Sequence, residues 1–327
     1  MDRCCKEAPL FTFGVIADIQ YADLDDGYDY SRTRKRYYRT SLQLLKKAQK
    51  SWSESDWKPD FIVQLGDIID GFNAAHGASE RALETVLAEF SSGSGPVHHV
   101  WGNHEFYNFS RSALMRSGLN SKVLADESPT GTSAGSDIHA YHFSPVPGFR
   151  FVIMDAYDVG LLGRDESSEQ YQAAKDLIQR FNQNQDLNCP PGRLDLSRFT
   201  KFNGGFSQDQ LDWLDSVLSL ANRKQEKVLI ASHLPVHPYV TDPVCLAWNF
   251  EELLAIIRSH SSVVCYMAGH THVGAYHQDE DTRVHHLTMD GVIETPPHSA
   301  AFCTISVYSD RMVLKGSGTV MDRVCLF

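Results

Sequence analysis

The stretch Val263-Val264-Cys265-Tyr266-Met267-Ala268-Gly269-His270-Thr271-His272 runs from an apolar segment straight into two histidines one residue apart. The apolar part, rich in β-branched and aromatic side chains, reads as a buried strand. Metal-competent side chains directly after it fall at the edge of a sheet, where α/β folds hold their ligands. The same arrangement recurs elsewhere in the chain. FTFGVIADI ends at Asp18-Ile19 with Gln20 following, FIVQLGDII carries Gly66-Asp67, VHHVWGNHE carries Gly102-Asn103-His104-Glu105, and KVLIASHLP carries His233. FRFVIMDAY, HHLTMDGVI and FCTISVYS are further runs of this kind.

Helical patterns lie between several of these runs. Leu42, Leu45 and Trp52 line one face after Arg39, and Leu83, Val86, Leu87 and Phe90 line another. Ser207 with Gln210 forms a capping-box start for Leu211, Leu214 and Leu218, and Asn249 with Glu252 resembles one for Leu253 to Ile257. Strand and helix alternate over the first two-thirds, which predicts parallel βαβ units; the helix-poor tail after Val263 predicts antiparallel strands. The expected fold class is α/β, a mixed sandwich. Residues 105–138 and 158–206 break the order without showing a second core or a repeat, so they read as long excursions from a single domain spanning 1–327.

The chain has 327 residues, 42% hydrophobic and 11% aromatic, enough for one large core or two smaller ones. Its formal charge of −11 opposes a broad phosphate-tracking surface, so nucleic acid is an unfavoured partner and an anionic ligand must be held locally. No apolar run reaches the roughly eighteen residues of a membrane span, and no secretory leader is visible, so the expected location is cytoplasmic, without membrane partners. Protein partners are not legible, and a monomer is the simplest expectation. Seven cysteines without metal spacing read as free thiols, with the Cys4-Cys5 pair the one place for acylation.

Each chemical block has an ordinary reading in isolation: an Asp that caps a turn, an Asn in a left-handed turn, a loop histidine. Their combination is more specific. A carboxylate at two strand ends, an amide beside an imidazole, and further imidazoles are the donor types of a divalent-cation site. In an extended segment alternate residues share a face, so His270 and His272 are expected to point the same way.

In this order the blocks resemble the calcineurin-like metallophosphoesterase family, whose pattern runs Asp-x-His, Gly-Asp, Gly-Asn-His-Glu, His, Gly-His-x-His. The resemblance implies a four-layer αββα sandwich of two mixed β-sheets flanked by helices. It also implies two divalent cations, one held by Asp18, Gln20, Asp67 and His272 and the other by Asp67, Asn103, His233 and His270, with Asp67 bridging. His104, left without a metal, is implied in transition-state stabilisation or leaving-group protonation beside the catalytic Asp67. The departure is Gln20, where the family usually has His; a neutral amide oxygen is a harder ligand and shifts preference from zinc toward manganese, with magnesium, zinc or iron admissible at one position.

The flanking phrases GVIADIQYADLDDG, HVWGNHEFYNFSR and HHLTMDGVIETPP match a manganese-dependent branch of that family. That similarity implies hydrolysis of the phosphoanhydride bond in ADP-ribose, CDP-choline, CDP-glycerol and related nucleoside diphosphate derivatives by a metal-activated water, releasing a nucleoside monophosphate. Rival readings are a phosphoprotein phosphatase, a cyclic-nucleotide phosphodiesterase or a non-catalytic scaffold on the same fold. Tyr30, Asn108 and Cys245 are candidates for the nucleotide pocket, since aromatics stack on bases and all three follow the motif blocks. The basic run Arg32–Arg39 reads mainly as a solvated helix face, and the acidic Asp23-Leu24-Asp25-Asp26 as a polar turn.

Overall fold

Along the strand Phe11–Ile16, Phe11, Phe13 and Val15 face one way and Thr12, Gly14 and Ile16 the other, and all six are buried. A strand buried on both faces needs a layer on each side of its sheet. The computed structural model, which describes residues 7–93, 95–126, 135 and 137–327, supplies both layers. Cys4, Cys5 and part of the 105–138 excursion lie outside the described residues.

Among the described residues two six-stranded sheets pack face to face. One has the spatial order Arg323–Leu326, Arg311–Gly318, Ala301–Val307, Phe11–Ile16, Phe61–Gln64, Val97–His99; the last three run parallel and the others antiparallel. The other has the order Ala275–Gln278, His285–Thr288, Val263–Ala268, Lys227–Ala231, Phe149–Ile153, Tyr141–Phe143, with a parallel centre and antiparallel edges. The tail is therefore not wholly antiparallel. His285–Thr288 runs parallel to Val263–Ala268 because Ala275–Gln278 carries the chain back between them, replacing the helix a parallel crossover normally uses.

Phe13, Phe61, Phe143 and Phe151 interlock between the sheets, with Phe13 and Phe61 meeting Phe151 edge-on at 5.0 and 5.2 Å. Each such burial contributes about 1.5–3 kcal/mol. On the outer face of the first sheet the helix Tyr38–Glu54 lays down Leu44, Leu45, Ala48 and Trp52, and the indole N–H of Trp52 donates to the Cys303 carbonyl. The helix Ser79–Ser91 buries Leu83, Val86 and Phe90 beside it. The helices Gln208–Lys224 and Phe250–Ser259 cover the second sheet. These are the four layers the resemblance implies.

Two cap expectations change in detail. Ser207 accepts from the Gln210 N–H, but the Gln210 side chain does not reach back; it is buried and clamps the Asp155 backbone instead. Asn249 makes no cap bond and instead pairs with both backbone groups of Phe206. The 158–206 excursion, expected to lack a core, packs Leu161, Tyr171, Ala174, Ile178 and Phe199 around Trp248 in a small separate cluster.

Candidate metal centre and active site

Phe11–Ile16 and Phe61–Gln64 are parallel, so Asp18 and Asp67 emerge at one edge of their sheet. Lys227–Ala231 and Val263–Ala268 are parallel too, and release His233, His270 and His272 at the corresponding edge of the other. Backbone bonds lace these ends: Asp18 N–H to Gly66 O at 3.1 Å, Gln20 N–H to Asp67 O at 2.9 Å, and Gly269 N–H to His233 O at 3.0 Å. Among the described residues eight non-glycines have positive φ, and five of them are Asp18, Gln20, Asp67, His270 and His272. Left-handed backbone at such residues costs of order 1–3 kcal/mol each and persists where the surroundings force it, typically at functional sites. His270 and His272 therefore do not lie in an extended segment; at φ 73° and 58° they turn apart and enter two different groups.

Asp67, His233 and His270 form one of these groups and Asp18, Asp67 and His272 the other, with the ligand atoms of each within 4.8 Å of one another and Asp67 common to both. His233 Nε2 lies 3.4 Å from Asp67 Oδ2, 3.2 Å from His270 Nδ1 and 3.3 Å from Asn103 Oδ1. His272 Nε2 lies 3.4 Å from Asp18 Oδ1 and 2.8 Å from Gln20 Nε2. All seven candidate ligands thus converge. Gln20 directs its Nε2 at Asp67 and His272, while Arg36 donates to its Oε1 at 3.3 Å, so presenting the oxygen inward requires a turn of the amide. The packing leaves no room for larger residues at two glycines: a Cβ on Gly66 would strike the His233 ring, and one on Gly102 the Asp67 carboxylate.

A set of outer partners fixes these side chains. Glu294 Oε1 holds His272 Nδ1 at 2.7 Å, Asn203 Oδ1 holds His270 Nε2 at 2.9 Å, and the Leu65 carbonyl holds His233 Nδ1 at 2.7 Å. The Tyr157 hydroxyl donates to Asn103 Oδ1 at 3.1 Å. Glu105 accepts from the backbone N–H groups of Asp67, Ile68 and Gly102, locking two motif loops together; burial and the nearby Asp67 carboxylate push its pKa up to about 8. Sequence reasoning passed over Asn203, outside every quoted stretch, and gave no role to Tyr157 at the end of FRFVIMDAY or to Glu294 within HHLTMDGVIETPP. Glu105 stood within a motif block and Asp70 one residue beyond FIVQLGDII, so both could have been found there.

Electrostatics shows what the cluster suits. Burial opposes charge on Asp67, yet the imidazoles of His233, His104 and His270 hold its pKa far below the usual range. Burial also disfavours charged His233 and His272, yet Asp67 and Asp18 raise the first to about 9, and Asp18 with Glu294 raises the second to about 9. Carboxylates that hold buried imidazoles in the protonated form create a strong demand for positive charge, which divalent cations would meet while displacing those protons. The residues present therefore fit a metal pair.

His104 stands at the rim, with Nε2 4.0 Å from Asp67 Oδ2. The Gly71 N–H donates to its Nδ1 at 2.8 Å, which places the ring proton of the neutral form on Nε2, toward the cluster. Asp70 Oδ2 is buried without a hydrogen bond, 3.3 Å from Nδ1.

The pocket candidates separate. Tyr30 is 98% exposed and lines a cleft of about 680 Å³ with Tyr28, Arg32, Arg36, Tyr38 and Phe72. The Asn108 side chain is engaged internally, with the Asp70 and His104 carbonyls and the Ser79 hydroxyl. Cys245 is half-buried, its thiol pushed up to about 12 by burial, and Asn203 ties the neighbouring Val244 carbonyl to the His270 side of the cluster. Most of the basic run is not a helix face; only Arg39 lies in the helix Tyr38–Glu54. Lys35–Arg36 is a short strand paired with Gly27–Tyr28, Arg34 pairs with Glu294 at 3.0 Å, and Arg39 pairs with Asp23 and Asp25.

A profile of the calcineurin-like phosphoesterase family matches residues 11–274, and the chain belongs to that family. Over 318 residues it is 55% identical to the manganese-dependent ADP-ribose/CDP-alcohol diphosphatase of Danio rerio, covering 97% of this chain and 98% of that protein. The human protein of the same name is 51% identical over 317 residues, with 96% and 92% covered. The crystal structure of a dimetal phosphatase from Danio rerio matches with a TM-score of 0.93 at 54% identity, covering 98% of this chain and 99% of that one.

Proposed function

We infer that the chain is a manganese-dependent diphosphatase acting on ADP-ribose, CDP-choline, CDP-glycerol and related nucleoside diphosphate derivatives, and releasing a nucleoside monophosphate. The observation that carries this reading is the paired cluster sharing Asp67, in a chain about half identical over nearly its full length to proteins of that name. Asp18, Gln20 through its oxygen, Asp67 and His272 would hold one cation, and Asp67, Asn103, His233 and His270 the other. A bound pair supplies a nucleophile from water at neutral pH and offsets phosphoryl charge.

The protein side chains do the rest. As the imidazolium, with its Nδ1–H given to Asp70 in place of the bond from the Gly71 N–H, His104 would offer its Nε2 proton to the leaving phosphate oxygen and return to the neutral ring. Arg36, at the boundary between Gln20 and the aromatic cleft, would take the second phosphate and Tyr30 would stack on the base. Cys245 remains a candidate for the pocket, and Asn108 would support it through the His104 carbonyl.

The whole chain acts as one domain, the 158–206 excursion delivering Asn203 to the cluster. Among the described residues no helix is long and apolar enough to cross a membrane. Buried free Cys265, Cys303 and Cys325 support a reducing, cytoplasmic compartment.

Purified protein assayed with manganese against ADP-ribose, CDP-choline, a cyclic nucleotide and a phosphopeptide tests the reading. Nucleoside monophosphate from the first two is expected. Turnover confined to the last two would replace it with a phosphodiesterase or phosphatase, and no turnover at all with a scaffold.

A further inference from the structure

Away from the catalytic cluster, His237, Asp279 and His286 also bring ligand atoms within 4.8 Å of one another, as compactly as the two catalytic groups. All three are buried. His237 lies in the segment after His233, and His286 in the strand His285–Thr288. Asp279 directly follows Ala275–Gln278, the partner strand in that hairpin. The His237 and His286 rings sit 4.6 Å apart, and His277, opposite His286 in the hairpin register, stacks on His237 at 4.4 Å.

The group that calls for a ligand is His286. It is 0% exposed, and neither ring nitrogen has a hydrogen-bond partner. A neutral imidazole carries one donor and one acceptor, and burying both unpaired is unfavourable unless something occupies the acceptor. Asp279 is already oriented: Oδ1 accepts two N–H groups of the following turn, Oδ2 accepts from Arg258 at 2.8 Å, and His237 Nε2 lies 3.9 Å from Oδ2. Burial lowers the pKa of His286 to about 3 and of His237 to about 4, so both rings are neutral and ligand-competent near pH 7.

We propose that His237, Asp279 and His286 bind a further divalent cation, of zinc type, separate from the dinuclear centre. Two imidazoles with one carboxylate suit zinc better than manganese, which favours oxygen donors. Binding at His237 Nε2 requires the tautomer protonated on Nδ1. It therefore exchanges the weak 3.3 Å bond from the Tyr239 N–H for a coordinate bond. The cation then staples the segment after His233 to the hairpin after His272, two of the loops that carry catalytic ligands.

The test counts metal and does not depend on the substrate reading. Full-length protein is loaded with manganese, dialysed against micromolar free zinc and analysed for elemental content, alongside His286→Gln and His237→Gln. Wild type is expected to hold one metal equivalent beyond the dinuclear pair, and each variant to lose that equivalent while keeping the pair. Equal metal content in wild type and a soluble variant overturns the proposal. Should neither variant fold, the wild-type count decides: a total no greater than the dinuclear pair overturns the proposal, and one equivalent more supports it.

Discussion

The metal cluster and the aromatic cleft meet at Arg36 and are built in opposite ways. In the cluster each imidazole ligand is gripped from behind, His272 by Glu294, His270 by Asn203 and His233 by the Leu65 carbonyl. In the cleft Tyr30 is almost fully exposed, and Tyr28 and Phe72 show more than half of their surface. Charge must be placed before the reaction, because reorganising it during the reaction raises the barrier. A base can instead be gathered by side chains that settle only when it arrives. On the proposed reading, chemistry is held by buried, partnered side chains and recognition is left to exposed ones.

Substitutions on the two sides sharpen that contrast. His104→Ala should cut turnover about 10²–10⁴-fold, the range of a lost general acid, while bound manganese stays nearly constant. Metal loss in that variant would make His104 a ligand. Glu294→Gln removes the carboxylate behind His272 and should weaken manganese binding about 10–100-fold in a metal titration. Wild-type affinity would mean that the outer partner does not set His272.

On the loose side, Tyr30→Ala should raise KM for ADP-ribose about fivefold with kcat unchanged, the low end of what a base–aromatic stack supplies. A drop in kcat alone would move Tyr30 out of recognition. Gln20→His should alter rate least and metal identity most, raising the zinc and iron retained after purification. Unchanged content would detach manganese preference from this position.

The same contrast governs what the sequence reveals. Asp18, Asp67, His233 and the Gly269-His270-Thr271-His272 turn are legible because each follows a buried strand within a few residues, and parallel pairing carries such positions to one edge. Asn203 and Glu294 are not, because their contacts to His270 and His272 span 67 and 22 residues and depend on how an excursion and a late turn pack. The left-handed turn at His270 and His272 was hidden for a related reason. Neither residue is a glycine, so nothing local announces positive φ there. The basic run misled because Arg34 and Arg36 precede the helix and are claimed by distant carboxylates, Glu294 and Asp70.

The proposed centre rests on one carboxylate, Asp67, common to both ligand groups. Electron paramagnetic resonance of the protein loaded with two equivalents of manganese tests this most directly. An exchange-coupled pair signal is expected, collapsing in Asp67→Asn. Two independent, uncoupled manganese signals in the wild type would contradict a shared Asp67 and the mechanism built on it.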